Sequence, residues 1–328
     1  MTAPPPTTTE PRLRDRAIVK TIPLMPRLLV QRLSAPYIAG ATLDEAISTV
    51  TSLATRGMGA TLDVLGEAIS KREEAEATRD AYLAAIEQLG TLDAPTPLVR
   101  NVSVKLTALG LGIDDRLVHD NVDAIAAAMQ KIGGFVRVDM EDTPYTDATL
   151  ELYRSLRDGG RDNLGIVIQA YLKRSRADVE ALAAEGARVR VVKGIYVEPE
   201  ALAWRDMATI NRSYLDLCQI LAEAGCHAAY ATHDDQLISG CLDLVERLDV
   251  PKEQYEFQML LGVREERRDD LVDQGHPMRV YVPFGAQWYE YSVRRLRENP
   301  RVAGQVAEAT LAGWRKRLTG GSKNGRKA

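Results

Sequence analysis

Short apolar runs alternate along most of the chain with segments whose apolar residues recur at helical spacing. The runs are rich in β-branched or aromatic residues, which is typical of strands buried on both faces. Eight such runs predict strands at Ala60–Leu65, Asn101–Leu106, Phe135–Met140, Gly165–Tyr171, Arg188–Lys193, His227–Thr232, Tyr255–Leu260 and Arg279–Val282. The clearest intervening helices are predicted at Thr149–Leu156, Ala177–Ala184, Ala201–Ala224 and Gln236–Leu248.

The number and order of these elements favour a single barrel. Strands that alternate with helices imply a parallel sheet, and eight strand–helix units in about 260 residues match a TIM-type (β/α)8 barrel of the α/β class. A doubly wound sheet is the alternative. It is less favoured because eight strands are many for it, and because Gly110-Leu111-Gly112 lacks the third glycine of the dinucleotide-binding fingerprint.

The residues before the barrel predict a helical arm. Thr42 and Glu45 form a capping box ahead of a helical pattern that continues to Ala54. A second helical stretch, from about Glu67 to Leu89, follows the first predicted strand and so belongs to the barrel. Both ends of the chain are poor in apolar residues and cannot bury much surface. We therefore predict a disordered lead (1–12), a helical N-terminal arm (13–56), the barrel (57–318) and a disordered basic tail (319–328).

Composition excludes several classes of protein. The 328 residues are 45% hydrophobic and 27% charged, which is usual for a globular chain. The net charge of −4 offers no excess of cations for nucleic acid, and no apolar stretch approaches the roughly 18 residues of a membrane span. The three cysteines form no C-x-x-C pair, which suits a reducing compartment. We therefore expect a cytoplasmic protein without a transmembrane segment, a nucleic-acid partner or a metal site.

A barrel predicts that functional side chains lie at the C-terminal ends of its strands and in the loops that follow. Charged groups there are costly unless they are paired or used. These positions hold Asp63, Glu67, Lys105, Asp139, Met140, Glu141, Asp142, Gln169, Tyr171, Arg174, Arg190, Lys193, Gly194, Ile195, Tyr196, Thr232, His233, Asp234, Gln258, Leu260 and Tyr281. Structural ion pairs would explain one or two of them, but so many at one mouth favour a ligand site.

The segment after the last strand adds cations to this mouth. Tyr291, Arg294 and Glu298 are three and four residues apart, so they share one face of a helix. Arg294 and the adjacent Arg295 can both reach a small anion above the barrel. Guanidinium groups bind carboxylates bidentately and stay charged, so the two arginines and Lys105 suit a carboxylate substrate. An Arg-Arg pair that serves only solubility is the alternative.

The pattern Tyr291-x-x-Arg294-Arg295-x-x-Glu298 resembles the Y-x-x-R-R-x-x-E signature of proline dehydrogenases. Seven further segments resemble the barrel segments of that family in the same order. They are Asp63–Glu67, Ser103–Gly110, Val138–Asp142, Gln169–Arg174, Arg190–Tyr196, Ala231–Asp234 and Glu256–Gly262. Eight ordered motifs are more specific than any one of them, and the length of the chain suits the compact monofunctional bacterial type.

The resemblance implies a distorted barrel that holds FAD at the strand C-termini. It implies oxidation of L-proline to 1-pyrroline-5-carboxylate, the first step of proline catabolism, by hydride transfer to the flavin N5. A quinone is then the expected electron acceptor, and 1-pyrroline-5-carboxylate dehydrogenase an expected functional partner. Together with the basic tail, this leads to the hypothesis that the protein associates peripherally with the inner face of the membrane.

The resemblance also assigns roles to individual residues. Asp139 is expected to orient Tyr281 and Lys105, and Arg190 to lie near the flavin N5 and tune its electron affinity. The residues expected to bind the substrate are Lys105, Tyr196, Leu260, Tyr281, Arg294 and Arg295. Those expected to contact FAD are Met140, Gln169, Arg190, Lys193, Gly194, Ile195, Thr232 and His233. Glu67 or Glu298 could pair with the two arginines when substrate is absent, which would make the last helix a lid.

The chain departs from many members of the family at two places. Val197 stands where they carry tryptophan near the adenine side of the cofactor, and the turn at residues 285–291 differs in length from some of them. The first departure bears on the conformation of FAD. The second bears on closure of the site and on the preference between proline and hydroxyproline.

Two other functions compete with the dehydrogenase. One is a Schiff-base aldolase that uses Lys105 or Lys193 as its amine. Carboxylates or an expected phosphate beside each lysine favour its charged form, which disfavours this interpretation. The other is a barrel that binds an amino acid or a partner without catalysis. Flavin absorbance that bleaches when proline is added would separate the dehydrogenase from both.

Overall fold

The computed structural model describes residues 35–66, 69–95, 99–289 and 291–293, and the structural statements below concern these residues. The first part of the predicted arm, the predicted tail and the candidate residues Glu67, Arg294, Arg295 and Glu298 lie outside them. The limits given above for the lead, arm, barrel and tail therefore stay predictions.

Eight parallel strands close into a barrel in which each strand pairs with its neighbours in chain order and the last returns to the first. The strands are β1 (Gly59–Val64), β2 (Asn101–Val104), β3 (Phe135–Val138), β4 (Leu164–Gln169), β5 (Val189–Val192), β6 (Ala228–Ala231), β7 (Tyr255–Leu260) and β8 (Met278–Phe284). Nearly every strand residue is buried, which is why the strands appear in the sequence as continuous apolar runs. The predicted (β/α)8 barrel is confirmed, and the doubly wound alternative is wrong.

Helices connect the strands and cover the barrel. In the described residues they are α1 (Leu43–Thr55), α2 (Arg72–Thr91), α3 (Asp115–Lys131), α4 (Thr146–Asp158), α5 (Ser175–Ala184), α6 (Met207–Glu223), α7 (Asp235–Arg247) and α8 (Glu265–Asp273). The capping box predicted for α1 is confirmed. The Glu45 N–H donates to Thr42 Oγ1 over 3.4 Å, and the Thr42 N–H donates to Glu45 Oε2 over 3.0 Å.

Helix α6 begins later than its hydrophobic pattern predicts. The prediction started at Ala201, whereas the helix starts after Asp206, whose carboxylate accepts the Thr209 N–H over 2.7 Å. Ala203 instead forms an antiparallel bridge with Leu172, beyond the end of β4. An aspartate at this position is a strong N-cap, so its side chain sets the start of the helix where the apolar pattern alone would have placed it earlier.

The chain divides into two compact units, and the barrel with its helices forms one of them (Ala39–Gly285). In the other unit, the described residues include a short 3-10 turn at Ala35–Tyr37. None of the helices in the described ranges combines the length and the hydropathy that crossing a bilayer requires.

The interior of the barrel is polar at both ends. Side chains two positions apart on a strand point to the same face, so each inward-facing position near one end of the barrel has a counterpart nearer the other. Strand β3 and the residue after it supply Arg137 and Asp139, and β8 supplies Arg279 and Tyr281. The second member of each pair lies toward the C-terminal mouth, and the first lies toward the opposite end.

Candidate active site

Asp139 follows β3 and stands at the centre of a hydrogen-bonded group in the C-terminal mouth. Arg190 on β5 donates from Nη1 to Asp139 Oδ1 over 2.6 Å, and the Tyr281 hydroxyl on β8 donates to Asp139 Oδ2 over 2.8 Å. The side chain of Arg190 is only 4% exposed. Because β3, β5 and β8 are not neighbours in the barrel, these bonds cross its interior and hold the three side chains against one another.

Lys105 extends this group to the far side of the mouth. Its Nζ lies 3.0 Å from both carboxylate oxygens of Asp63 and 3.2 Å from the Tyr281 hydroxyl. Asp139 Oδ2 is 4.0 Å away. The Asp63 side chain is 1% exposed, so its charge is held by contact with Lys105 rather than by water. Within the described residues of the mouth, Lys105 and Arg190 thus face two carboxylates.

Three further side chains support this network and were not identified from the sequence. Ser103 Oγ accepts from Arg190 Nη2 over 3.1 Å and lies 3.0 Å from Thr61 Oγ1. The Tyr82 hydroxyl of α2 donates to the Ser103 carbonyl over 2.6 Å. Ser103 lies two positions before Lys105, so strand periodicity could have indicated it. Nothing local connects Tyr82, on a helix, with this mouth.

The two tyrosine hydroxyls of the network are kept protonated. Burial raises the pKa of Tyr281 well above its ordinary value, and the carboxylates of Asp139 and Asp63 raise it further. Burial and the charge of Asp63 do the same to the pKa of Tyr82. Both hydroxyls therefore act as hydrogen-bond donors at neutral pH. The Tyr281 hydroxyl donates its proton to Asp139 in a hydrogen bond, and this bond fixes the tyrosine ring in the wall of the mouth.

The residues expected to contact a cofactor lie after β3, along β4–β6 and in the loops that follow these strands. Gln169 donates from Nε2 to the Glu141 carbonyl over 2.8 Å, and both Gln169 and Met140 are buried. Thr232 Oγ1 accepts the Asp234 N–H over 3.1 Å. The Leu260 N–H donates to His233 Nε2 over 2.9 Å, so that nitrogen is an acceptor. These contacts fix the orientation of side chains that the sequence could only place at strand ends.

Lys193 and Gly194 form the start of the loop after β5. Lys193 Nζ lies 2.6 Å from Asp234 Oδ2, and although burial opposes the change, the hydrogen bond and charge of Lys193 lower the pKa of Asp234. Gly194 has φ +111°, and a Cβ there would lie 2.1 Å from a ring carbon of Tyr171. Only glycine fits this approach. Ile195 follows it and is 47% exposed.

The structure joins some of the predicted substrate residues by direct contacts. Lys105, Asp139, Arg190 and Tyr281 are joined by direct contacts. Leu260 is the strand partner of Tyr281 on β7, next to this group. Tyr196 lies in the partly exposed loop after β5, and Arg294 and Arg295 are outside the described residues.

Comparison with known proteins identifies the family of the chain. The family model described as "Proline dehydrogenase" matches residues 46–308, which is most of the chain. This chain belongs to the proline dehydrogenase family. It is 35% identical over 275 residues to "Proline dehydrogenase 1" of Bacillus subtilis strain 168, covering 84% of this chain and 89% of that one. It is 34% identical over 285 residues to "Proline dehydrogenase" of Deinococcus radiodurans, covering 86% and 91%.

Solved structures of larger members of the family share the barrel. The crystal structure of proline utilization A (PutA) from Bdellovibrio bacteriovorus, inactivated by N-propargylglycine, superposes with a TM-score of 0.76 at 29% sequence identity. The match covers 82% of this chain and 33% of the PutA chain, so this chain corresponds to about a third of that protein. The family assignment and the fold are therefore supported independently of each other.

Proposed function

We propose that the protein oxidises L-proline to 1-pyrroline-5-carboxylate with FAD as its cofactor. The observation that carries this proposal is the group formed by Asp139, Arg190, Tyr281 and Lys105. All four resemble residues of a proline dehydrogenase site, and they meet in one mouth, where Arg190, Tyr281 and Lys105 lie 2.6, 2.8 and 4.0 Å from Asp139. Family membership is consistent with the same activity.

The residues of the mouth fit an anionic dinucleotide. Arg190 Nε is buried and has no hydrogen-bond partner among the described residues, so one donor of this guanidinium group is left unsatisfied. Lys193, whose Nζ lies 2.6 Å from Asp234 Oδ2, is a second cation at the end of β5, and Gly194 lets the backbone approach closely. We propose that these residues, with Met140, Gln169, Ile195, Thr232 and His233, hold FAD. When bound, FAD supplies the hydride acceptor, while the chain supplies orientation and charge.

The described charges of the mouth do not provide for a carboxylate substrate, which gives a role to Arg294 and Arg295 outside the described residues. Lys105 and Arg190 already face Asp63 and Asp139, so the carboxylate of proline would meet no net positive charge from these four groups. We propose that Arg294 and Arg295 supply it, as guanidinium groups bind carboxylates bidentately.

The apolar ring of proline needs a wall that fixes its position. We propose Tyr281, Leu260 and Tyr196 for this wall, with Asp139 as the residue that orients Tyr281. A carboxylate clamp at one end and an apolar wall at the other would hold the reacting carbon about 3–3.5 Å from its acceptor, as hydride transfer requires. Arg190 would stabilise the negative charge that develops on the acceptor.

The aldolase alternative is less well supported by the same geometry. A Schiff-base lysine must be neutral to react. Lys105 lies 3.0 Å from Asp63 and Lys193 lies 2.6 Å from Asp234, and a carboxylate at such a distance favours the charged ammonium. We therefore assign neither lysine a nucleophilic role.

The test is an absorbance spectrum of the purified protein under anaerobic conditions, before and after L-proline is added. Flavin bands that bleach with L-proline support the proposal, and a protein without flavin absorbance refutes it. In Arg294→Ala, the KM for proline should rise by about ten- to a hundred-fold, as loss of one charge-assisted pair costs about 1.5–3 kcal/mol. Arg176→Ala, on the exposed face of α5, should leave KM unchanged.

The route of the electrons and the partners of the protein belong to the same proposal. A quinone is the proposed acceptor and 1-pyrroline-5-carboxylate dehydrogenase the proposed partner that consumes the product. Peripheral membrane association through the basic tail is tested by sedimentation with anionic vesicles. Deletion of residues 319–328 should abolish it, and binding that survives the deletion would contradict this role of the tail.

A further inference from the structure

A cavity of about 490 Å³ lies at the end of the barrel opposite the mouth that contains Lys105 and Arg190. We call it the basal cavity. It is lined by residues at the starts of the strands, in the loops before them and at the end of α3, namely Arg100, Asn101, Gln130, Gly133, Gly134, Phe135, Arg137, Asp162, Asn163, Arg188, His227, Glu256 and Arg279. Its volume falls in the range of small-molecule sites.

The charges of the basal cavity do not balance. Glu256 and Arg279 form a buried ion pair over 3.0 Å and neutralise each other. Neither Arg137 nor Arg188 has a carboxylate within 4.0 Å in the part of the chain that the structure describes. Two guanidinium groups are therefore left without counter-charges. Arg100 adds a third, held by the carbonyl oxygens of Ile132 and Gly90.

Arg137 is held rigidly although its charge is unpaired. Its side chain is 2% exposed, and its Nη1 donates to the carbonyl oxygens of Ile166 and Arg188 over 3.1 and 2.6 Å. A Cβ at position 165 would lie 2.5 Å from Nη1, so Gly165 makes room for the guanidinium group. Burial, and then repulsion from Arg190, lower the pKa of Arg137 to about 9. A bound anion would stabilise the charged form of Arg137 and oppose this lowering of its pKa.

Aromatic and polar contacts complete the cavity. The guanidinium groups of Arg137 and Arg188 lie over the ring of Phe135, with distances of 5.0 and 4.8 Å to its centre. Arg188 itself is exposed and stands at the opening. Asn101 is 7% exposed, and its Oδ1 is buried without a hydrogen-bond partner among the described residues. A polar atom left this way in the wall of a cavity indicates a missing partner.

An ion network that only closes the end of the barrel is the simpler explanation. Such a network would be expected to pair its charges, because a buried guanidinium group without a carboxylate is costly. Glu256 pairs with Arg279, which leaves the buried Arg137 without a carboxylate and the exposed Arg188 beside it at the opening. Asp162 is exposed at the rim and accepts a hydrogen bond from Gln130 over 3.3 Å, so it does not fill this role.

We propose that the basal cavity binds a small phosphate dianion, either inorganic phosphate or the phosphate group of a small ester. Two negative charges would offset most of the positive charge that Arg100, Arg137 and Arg188 bring to the cavity, and the planar donors of arginine suit the oxygens of a phosphate. The site is separate from the proposed proline site, so the two proposals stand or fall independently.

The test compares three proteins in solutions of equal ionic strength containing sodium chloride, inorganic phosphate or glycerol 3-phosphate. Calorimetry and thermal unfolding should detect binding of at least one phosphate compound to the wild type. In Arg188→Gln, we expect the Kd to rise about ten-fold or more, since a charge-assisted contact is lost. The control Arg176→Gln removes the same charge from an exposed helix face and should bind as the wild type does.

Each outcome decides the proposal. Binding of both compounds, or of one alone, supports a phosphate site and identifies whether the ester or the free ion is preferred. An equal response of Arg188→Gln and Arg176→Gln would place the anion elsewhere and overturn the proposal. So would phosphate and glycerol 3-phosphate that act no differently from chloride. Proline oxidation measured on the same samples reports on the other end of the barrel.

Discussion

The stability of the protein should fall between pH 7 and pH 5 because of one largely buried histidine. His227 precedes β6 and lines the basal cavity, and its Nδ1 is buried without a partner among the described residues. Burial lowers its pKa from 6.5 to about 4; the charge of Glu256 opposes this shift, and the charges of Arg188, Arg137 and Arg279 add to it. The folded protein therefore holds His227 neutral where the unfolded chain would protonate it.

The sign and the size of the effect follow from the two pKa values. Between pH 4 and pH 6.5 the unfolded chain binds more protons, so the free energy of unfolding decreases as the pH falls. The full shift corresponds to about 3 kcal/mol, of which about 2 kcal/mol is lost between pH 7 and pH 5. Titration of Glu256 does not add to the loss of stability between pH 7 and pH 5. Although burial opposes it, Arg279 lowers the pKa of Glu256 from 4.5 to about 2, so its contribution is lost only at lower pH.

The assay is urea unfolding of the wild type and of His227→Gln at a series of pH values from 7 to 5. Between these limits, the variant should lose about 2 kcal/mol less stability than the wild type. His119→Gln is the matched control, since His119 is 42% exposed, and it should follow the wild type. Equal slopes for the wild type and His227→Gln would refute the argument. Phosphate bound in the basal cavity should also raise the pKa of His227, which its imidazole NMR signals would report.

Two further substitutions test the mouth of the barrel, both by urea unfolding. Gly194→Ala should lower the free energy of unfolding by about 2–4 kcal/mol, because the new Cβ meets the Tyr171 ring at a positive φ. The control Gly160→Ala has open space at φ +92° and should lower it by only about 1–2 kcal/mol. Equal losses in the two variants would contradict the contact with Tyr171. Asp139→Asn should cost about 3 kcal/mol, because it leaves the Arg190 charge buried without its carboxylate, and a loss below about 1 kcal/mol would contradict the pairing.

The sequence was sufficient for the barrel because its strands are buried on both faces. Such strands appear as apolar runs whose order alone implies a parallel sheet, and Tyr255–Leu260 was predicted with the bounds that the structure has. The predicted ends of other elements were less accurate. Helix α6 was started six residues early because an apolar pattern does not show where a capping side chain sets the first turn.

The candidate site was predictable where its residues follow strands and not where tertiary contacts assemble it. Lys105, Asp139 and Tyr281 were identified at strand ends, but the spacing of the sequence does not show that one hydroxyl bridges the other two side chains. Tyr82 comes from a helix, and only the folded chain brings it to the Ser103 carbonyl.

The charges at the opposite end of the barrel went unrecognised for a different reason. Arg137, Glu256 and Arg279 lie inside apolar runs, and a single polar residue within a run does not show which end of the barrel it will face. Once the strand register is known, its two-residue period shows which end of the barrel each polar residue faces. Arg137 precedes Asp139 by two positions, and Arg279 precedes Tyr281 by two.

The two-residue period that places Asp139 and Tyr281 in the mouth therefore places guanidinium groups at the opposite end of the barrel. The inward-facing side chains form one layer at each end, and the two layers differ in charge balance. In the mouth, Lys105 and Arg190 each face a carboxylate within 3.0 Å. At the opposite end, Glu256 is the one buried carboxylate among the described residues of the layer, and it pairs with Arg279. Because repulsion from Arg190 contributes to the lowered pKa of Arg137, the two layers interact through the barrel interior. A phosphate bound at the base would reduce the positive potential that Arg190 experiences, so the two ends of the barrel are electrostatically linked without any movement of the chain.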